Sequence, residues 1–108
     1  NIIVKKLDDV VSSNELLIPD TIKIDVQGYE LLVLRGGRET LRNVKYLIIE
    51  LSFRDFYEGQ PKLSEIMHFL EENNFMLIDF GYEWRGKRNE LLQIDAFFLN
   101  NKLDKNAK

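Results

Sequence analysis

Two apolar runs dominate the chain, Thr21–Val26 and Lys45–Phe53. Each is followed by a segment of helical spacing, the first within a few residues and the second after a longer irregular connection to Pro61. The first run is rich in β-branched residues and the second contains Tyr46-Leu47-Ile48-Ile49, and both are short, so they read as strands. A strand that alternates with a helix cannot bury its apolar faces in a bundle or a sandwich. It needs a sheet with helices packed on it, the α/β layer arrangement.

The rest of the chain continues the alternation. Ile2–Lys6 reads as a further short strand, followed by Leu7, Val10 and Val11 at helical spacing behind Asp8 and Asp9. Pro19-Asp20 marks a turn, and Gln27-Gly28 breaks the strand Thr21–Val26. Tyr29–Leu34 has the all-round apolar look of a buried helix, which Gly36-Gly37 stops, and Arg38–Asn43 adds a turn or two. Pro61 suits the first turn of a helix in which Leu63, Ile66, Met67 and Leu70 form one stripe, opposite Glu65, His68, Glu71 and Glu72. Asn73-Asn74 would end it. Phe75–Tyr82 and Leu91–Leu99 are two more strands, and the short loop around Gly86 makes them an antiparallel hairpin. No linker, repeat or low-complexity segment divides the chain, so residues 1–99 belong to one domain, with residues 100–108 as a polar tail.

Composition removes several classes of function. With 108 residues, 44% of them hydrophobic and 31% charged, the chain is of ordinary globular make-up. It has no cysteine and one histidine, His68, which excludes disulfides and the common His/Cys zinc sites. A net charge of −3 does not suit a nucleic-acid partner, and the small basic cluster Arg85, Lys87 and Arg88 reads as a solvated loop. No apolar run spans a bilayer and no signal peptide is visible, so the expectation is a soluble, cytoplasmic protein without a membrane partner. The chain opens inside a β-type run, Asn1-Ile2-Ile3-Val4, as a fragment of a longer protein would.

Chemistry in an open α/β sheet sits beyond the carboxyl ends of the parallel strands. Asp25 and Glu50 lie near those ends, and the turn Gln27-Gly28-Tyr29-Glu30 lies beside the first of them. Gly28 lets backbone approach a ligand closely, and Glu30 adds a third acid. Three readings stay open: acids that cap a helix and pair with Lys23 or Arg35, oxygen ligands for a divalent cation, or a group that orients or deprotonates a hydroxyl. Gln93 and Asp95 alternate with Leu92 and Ile94, so they share one face of the last strand, as polar surface or as lining of an acceptor pocket. Tyr82 and Trp84 are able to stack on a sugar ring or to serve structure or a partner. His68 reads as solvated.

Spelling narrows what spacing leaves open. Ile22-Lys23-Ile24-Asp25-Val26-Gln27-Gly28-Tyr29-Glu30-Leu31, with Val33-Leu34-Arg35-Gly36-Gly37 after it, resembles the central block of FkbM-type methyltransferases. Leu7-Asp8-Asp9, Ile48-Ile49-Glu50, Tyr57-Glu58-Gly59-Gln60 and Leu91-Leu92-Gln93-Ile94-Asp95-Ala96-Phe97-Phe98 continue the resemblance in the family's order. The resemblance implies the C-terminal half of a Rossmann-like class I methyltransferase sheet, α/β and mostly parallel, with an antiparallel terminal hairpin. It also implies O-methylation by S-adenosylmethionine of a hydroxyl on a sugar, glycan or polyketide-like acceptor, a displacement at an activated sulfonium in which the protein mainly aligns and desolvates. On this pattern Asp25 and Glu50 are the catalytic candidates, Asp25, Gln27 and Gly28 the cofactor candidates, and Glu30, Gln93 and Asp95 the acceptor candidates. No metal is implied.

One departure is large. The glycine-rich cofactor turn and the ribose acid that open such enzymes are missing ahead of Asp25, so the fragment alone is expected to be inactive. The rival reading is a non-catalytic methyltransferase-like interaction module. A phosphoacceptor signalling domain is a poorer one, because Asp8-Asp9 and Asp25 are too close to hold the two strand–helix units it needs. A sheet cut in half would expose an edge of Thr21–Val26, which makes a homodimer through that edge an expectation.

Overall fold

The computed structural model describes residues 20–24, 30–54 and 58–103. The strand expected at Ile2–Lys6 and the helical turn after it lie outside the described residues, as do Asp25, Gln27 and Gly28. The elements in order are β1 (Thr21–Ile24), α1 (Glu30–Gly36), α2 (Arg38–Leu41), β2 (Tyr46–Ser52), α3 (Leu63–Glu72), β3 (Phe75–Arg85) and β4 (Leu91–Asn100). This is a mixed α/β chain with one four-stranded sheet.

The sheet order is β1-β2-β4-β3. β1 runs parallel to β2, from Thr21 opposite Tyr46 to Ile24 opposite Ile49. β4 lies antiparallel between β2 and β3. The expected mostly parallel sheet therefore holds for strand direction, since β1, β2 and β3 run the same way. The one antiparallel strand, β4, lies near the end of the sheet, between β2 and β3. The hairpin itself forms as expected. Its loop is tighter than expected, because β3 continues past Tyr82 to Arg85. Gly86 N–H donates to the Glu90 carbonyl (2.9 Å), and Asn89 takes the left-handed backbone (φ 64°) that turns the chain.

Alternation decides which face is core. Leu47, Ile49 and Leu51 of β2 stand opposite Phe98, Ala96 and Ile94 of β4, and all six are buried. They pack with Leu31 and Leu34 of α1 and with Ile66, Phe69 and Leu70 of α3 in one cluster. Each of the leucine, isoleucine and phenylalanine side chains, removed from water, contributes about 1.5–3 kcal/mol. The helix Glu30–Gly36 is not apolar all round: Leu32 is 64% exposed, so only one stripe meets the sheet.

The ends of α3 are set by local chemistry. Pro61 precedes the N-cap residue Lys62 and so does not occupy the first turn. Glu65 Oε1 accepts from the Lys62 backbone N–H (3.1 Å), one half of a capping box. At the other end Asn74 (φ 69°) is the left-handed stop, and Asn73 Nδ2 donates to the Phe69 carbonyl (2.8 Å).

Asn100, which the sequence places in the polar tail, is the last residue of β4 and is 1% exposed. Its Nδ2 reaches the carbonyls of Leu41 (3.3 Å), Arg42 (3.3 Å) and Val44 (3.1 Å). Its backbone N–H donates to Lys45 (2.8 Å), and its Oδ1 accepts from Lys102 N–H (3.1 Å). One amide thus satisfies the carbonyls that the end of α2 leaves without intrahelical partners.

Candidate functional site

The face of the sheet away from the helices carries Tyr46, Ile48, Glu50 and Ser52 of β2, opposite Leu99, Phe97, Asp95 and Gln93 of β4. Directly opposed antiparallel residues share a face, with Cβ atoms about 4.5–5.5 Å apart. Glu50 and Asp95 are therefore cross-strand neighbours, two carboxylates side by side. The next row toward the carboxyl end of β2 is Ser52 with Gln93, where Gln93 Nε2 donates to Ser52 Oγ (3.2 Å). Phe53 N–H continues the ladder to the Leu92 carbonyl (2.9 Å). Glu50 is 8% exposed, while Gln93 and Asp95 are half-buried.

The third strand completes the row. Trp84 of β3 pairs with Gln93, so Ser52, Gln93 and Trp84 line up across three strands. The rings of Tyr82 and Trp84 are 4.6 Å apart at 63°, an edge-on pair. A register shift between Phe80 and Glu83 leaves Gly81 beside the Asp95 row. A Cβ built on Gly81 would lie 2.7 Å from the Phe97 ring and 3.5 Å from Asp95 Cβ, so glycine is what lets β3 and β4 close here.

Three of the sequence-derived candidates, Glu50, Gln93 and Asp95, thus come together at one end of one face. Glu30, the first residue of α1, is 4% exposed, and among the described residues its Oε2 has no hydrogen-bond partner. An orphaned buried acceptor costs about 1–3 kcal/mol and calls for an explanation. His68 stands on the exposed face of α3, paired with Glu72, as expected of a solvated residue. Among the described residues no cluster of three or more His, Cys, Asp or Glu is arranged to hold a metal ion. A hollow of about 330 Å³ opens near Thr21, Tyr46, Ile48 and Phe97, toward the amino ends of β1 and β2, and reaches as far as the row next to Glu50 and Asp95. It is mainly apolar and does not contain the candidate residues. No helix among the described residues is long and apolar enough to cross a membrane.

Sequence reasoning missed Ser52, and it placed Trp84 at the mouth of a hairpin and not in a row with Gln93. The hairpin row could have been found by counting outward from the loop at Gly86. The Ser52–Gln93 contact could not, because it joins residues 41 apart in the chain.

Residues 1–77 match the family model described as the methyltransferase FkbM domain. The chain belongs to that family. It is 41% identical over 66 residues to the 2-O-methyltransferase NoeI of Sinorhizobium fredii, a stretch that covers 61% of this chain and 27% of that protein. It is also 41% identical over 44 residues to the hexuronic acid methyltransferase AglP of Haloferax volcanii, covering 41% of this chain and 18% of the relative. The chain thus spans about a quarter or less of the curated relatives it matches. No solved structure matches it. The family implies S-adenosylmethionine as the methyl donor.

Proposed function

We propose that the FkbM-family protein containing this chain is a cytoplasmic O-methyltransferase that acts on a hydroxyl of a sugar or glycan. The observation that carries this reading is the co-location of Glu50, Asp95, Gln93 and Ser52 on one face at the carboxyl end of β2, in a chain with one relative named a 2-O-methyltransferase and another named a hexuronic acid methyltransferase. Carboxylates, an amide and a hydroxyl match the hydroxyls of a pyranose better than they match an apolar or an anionic acceptor.

On α1 the acceptor side has Glu30, whose buried Oε2 has no hydrogen-bond partner among the described residues and can accept from a sugar hydroxyl. S-adenosylmethionine is the methyl donor that the family implies. When bound, the cofactor supplies an already activated methyl on its sulfonium. Asp25, Gln27 and Gly28 are assigned to its side of the crevice, with the rest of its grip supplied by the remainder of the protein. The sheet, in this reading, is the later part of a Rossmann-like class I fold.

The protein's own work is then alignment. Gln93, Asp95 and Glu30 hold the acceptor sugar through its hydroxyls, while Asp25 and Glu50 orient the reacting hydroxyl and take the proton it loses.

The test is methyl transfer by the intact protein from deuterium-labelled cofactor to a panel of glycans and glycosides, read by product mass. A labelled methyl ether on a sugar is the expected result. Cofactor binding with no transfer to any hydroxyl would favour the interaction-module reading instead.

A further inference from the structure

β3 is the outer strand of the sheet, and ten of its eleven residues are exposed, among them Met76, Ile78, Phe80, Tyr82 and Trp84. Simple strand addition at this edge is disfavoured, because three register shifts interrupt the pairing of β3 and bend it. Irregularities of that kind are how natural edges avoid pairing with another chain. The exposed aromatics therefore need another use, and their position supplies one. Trp84 stands in one cross-strand row with Gln93 and Ser52, next to the row of Asp95, and Tyr82 reaches that row through its ring contact with Trp84.

We infer that Trp84, braced edge-on by Tyr82, is the platform on which the acceptor's pyranose ring stacks, with Gln93 and Asp95 binding the hydroxyls at the ring's edge. The inference rests on the sugar-methylation reading and adds the residues that recognise the ring. A pyranose has an apolar face of C–H groups and a polar rim. An indole with a ring of amide, hydroxyl and carboxylate groups beside it offers the matching pair of surfaces. Trp84 is 38% exposed and Tyr82 is 66% exposed, so both rings have area left to cover. The 63° angle between them makes two walls of a corner, which suits a ring of finite thickness better than the slot between parallel aromatics that a flat base would favour. Gly81 contributes by absence, since its missing side chain lets β3 close on β4 beside Phe97 and Asp95.

The experiment has two readouts on the intact protein. The first is kinetic, with methyl glucoside and methyl glucuronide as acceptors. Trp84→Ala raises KM for the sugar about tenfold or more while kcat stays within about twofold, the loss of one aromatic contact. Trp84→Phe restores most of the affinity, and Gln93→Ala also raises KM. The second readout is saturation-transfer NMR without cofactor, in which the same glycosides receive magnetisation from the protein in the wild type but not in Trp84→Ala. An unchanged KM in Trp84→Ala overturns the platform and leaves sugar methylation standing. Glycoside binding through Trp84 without methyl transfer to any sugar overturns methylation and leaves the platform standing. Protection of Trp84 by adenosine instead of by the glycosides overturns the platform in favour of a base-stacking role.

Discussion

Asn100 offers a sharp test of how the sheet is joined to its helices. Replacing it with alanine removes Nδ2 from three carbonyls at once, those of Leu41, Arg42 and Val44. The backbone bond to Lys45 survives, because it does not depend on the side chain. Leu41 O keeps the Val44 N–H as a partner (3.2 Å), so its loss is partial. Each net hydrogen bond is worth about 0.5–1.5 kcal/mol, and each buried carbonyl left unpaired costs about 1–3 kcal/mol. Because Asn100 is 1% exposed, water does not readily replace the amide. The expected loss is therefore about 3 kcal/mol. At about 2–4 °C per kcal/mol for a domain of 150–250 residues, Tm falls by roughly 6–12 °C. Asn100→Asp should be worse than alanine, since it aims an acceptor-only group at three carbonyl oxygens. Thermal unfolding of the intact protein, followed by circular dichroism, makes the comparison. A shift of less than about 2 °C for Asn100→Ala, or an aspartate variant more stable than the alanine one, would refute the clamp.

Glu30→Gln should leave Tm unchanged or higher, because it removes a buried charge with an unpartnered oxygen, and should lower turnover about tenfold; equal turnover would make Glu30 structural only. Gly81→Ala brings a Cβ to 2.7 Å from the Phe97 ring, and that clash outweighs the roughly 0.5–1 kcal/mol that alanine gains over glycine in a strand. The net destabilisation is about 1 kcal/mol, and Phe97→Leu should relieve it in the double variant; additive losses in urea unfolding would contradict this. The 108-residue chain alone should sediment at micromolar concentration as a species heavier than the monomer, through the β1 edge of the sheet; a clean monomer would mean that this edge is covered.

Much of the fold was legible because local chemistry decided it. The apolar run around Ile48, the stripe Leu63–Leu70, the Asn73-Asn74 stop and the loop at Gly86 each carry their own signal in period or turn residues. The insertion of β4 between β2 and β3 carries no such signal, because a short loop says that two strands pair but not which of them meets a third. The same limit explains Asn100. Its side chain earns its place from carbonyls 56 to 59 residues away, so in sequence it looks like the start of a polar tail. In the candidate site, Glu50 was visible as an acid at the end of a strand, and Gln93 and Asp95 as alternating polar residues. That Glu50 faces Asp95 is a matter of register between distant strands, which only the assembled sheet reveals.

In the function proposed above, methyl transfer takes place where β1 and β2 end, with Asp25 and Glu50 serving the reacting hydroxyl. The most direct measurement is the turnover of Asp25→Asn in the intact protein, with labelled cofactor and a sugar acceptor that the wild type methylates. The account expects turnover to fall at least about tenfold with Tm and the circular dichroism spectrum unchanged, the signature of a proton-handling group lost without loss of fold. Wild-type turnover in that variant would contradict it.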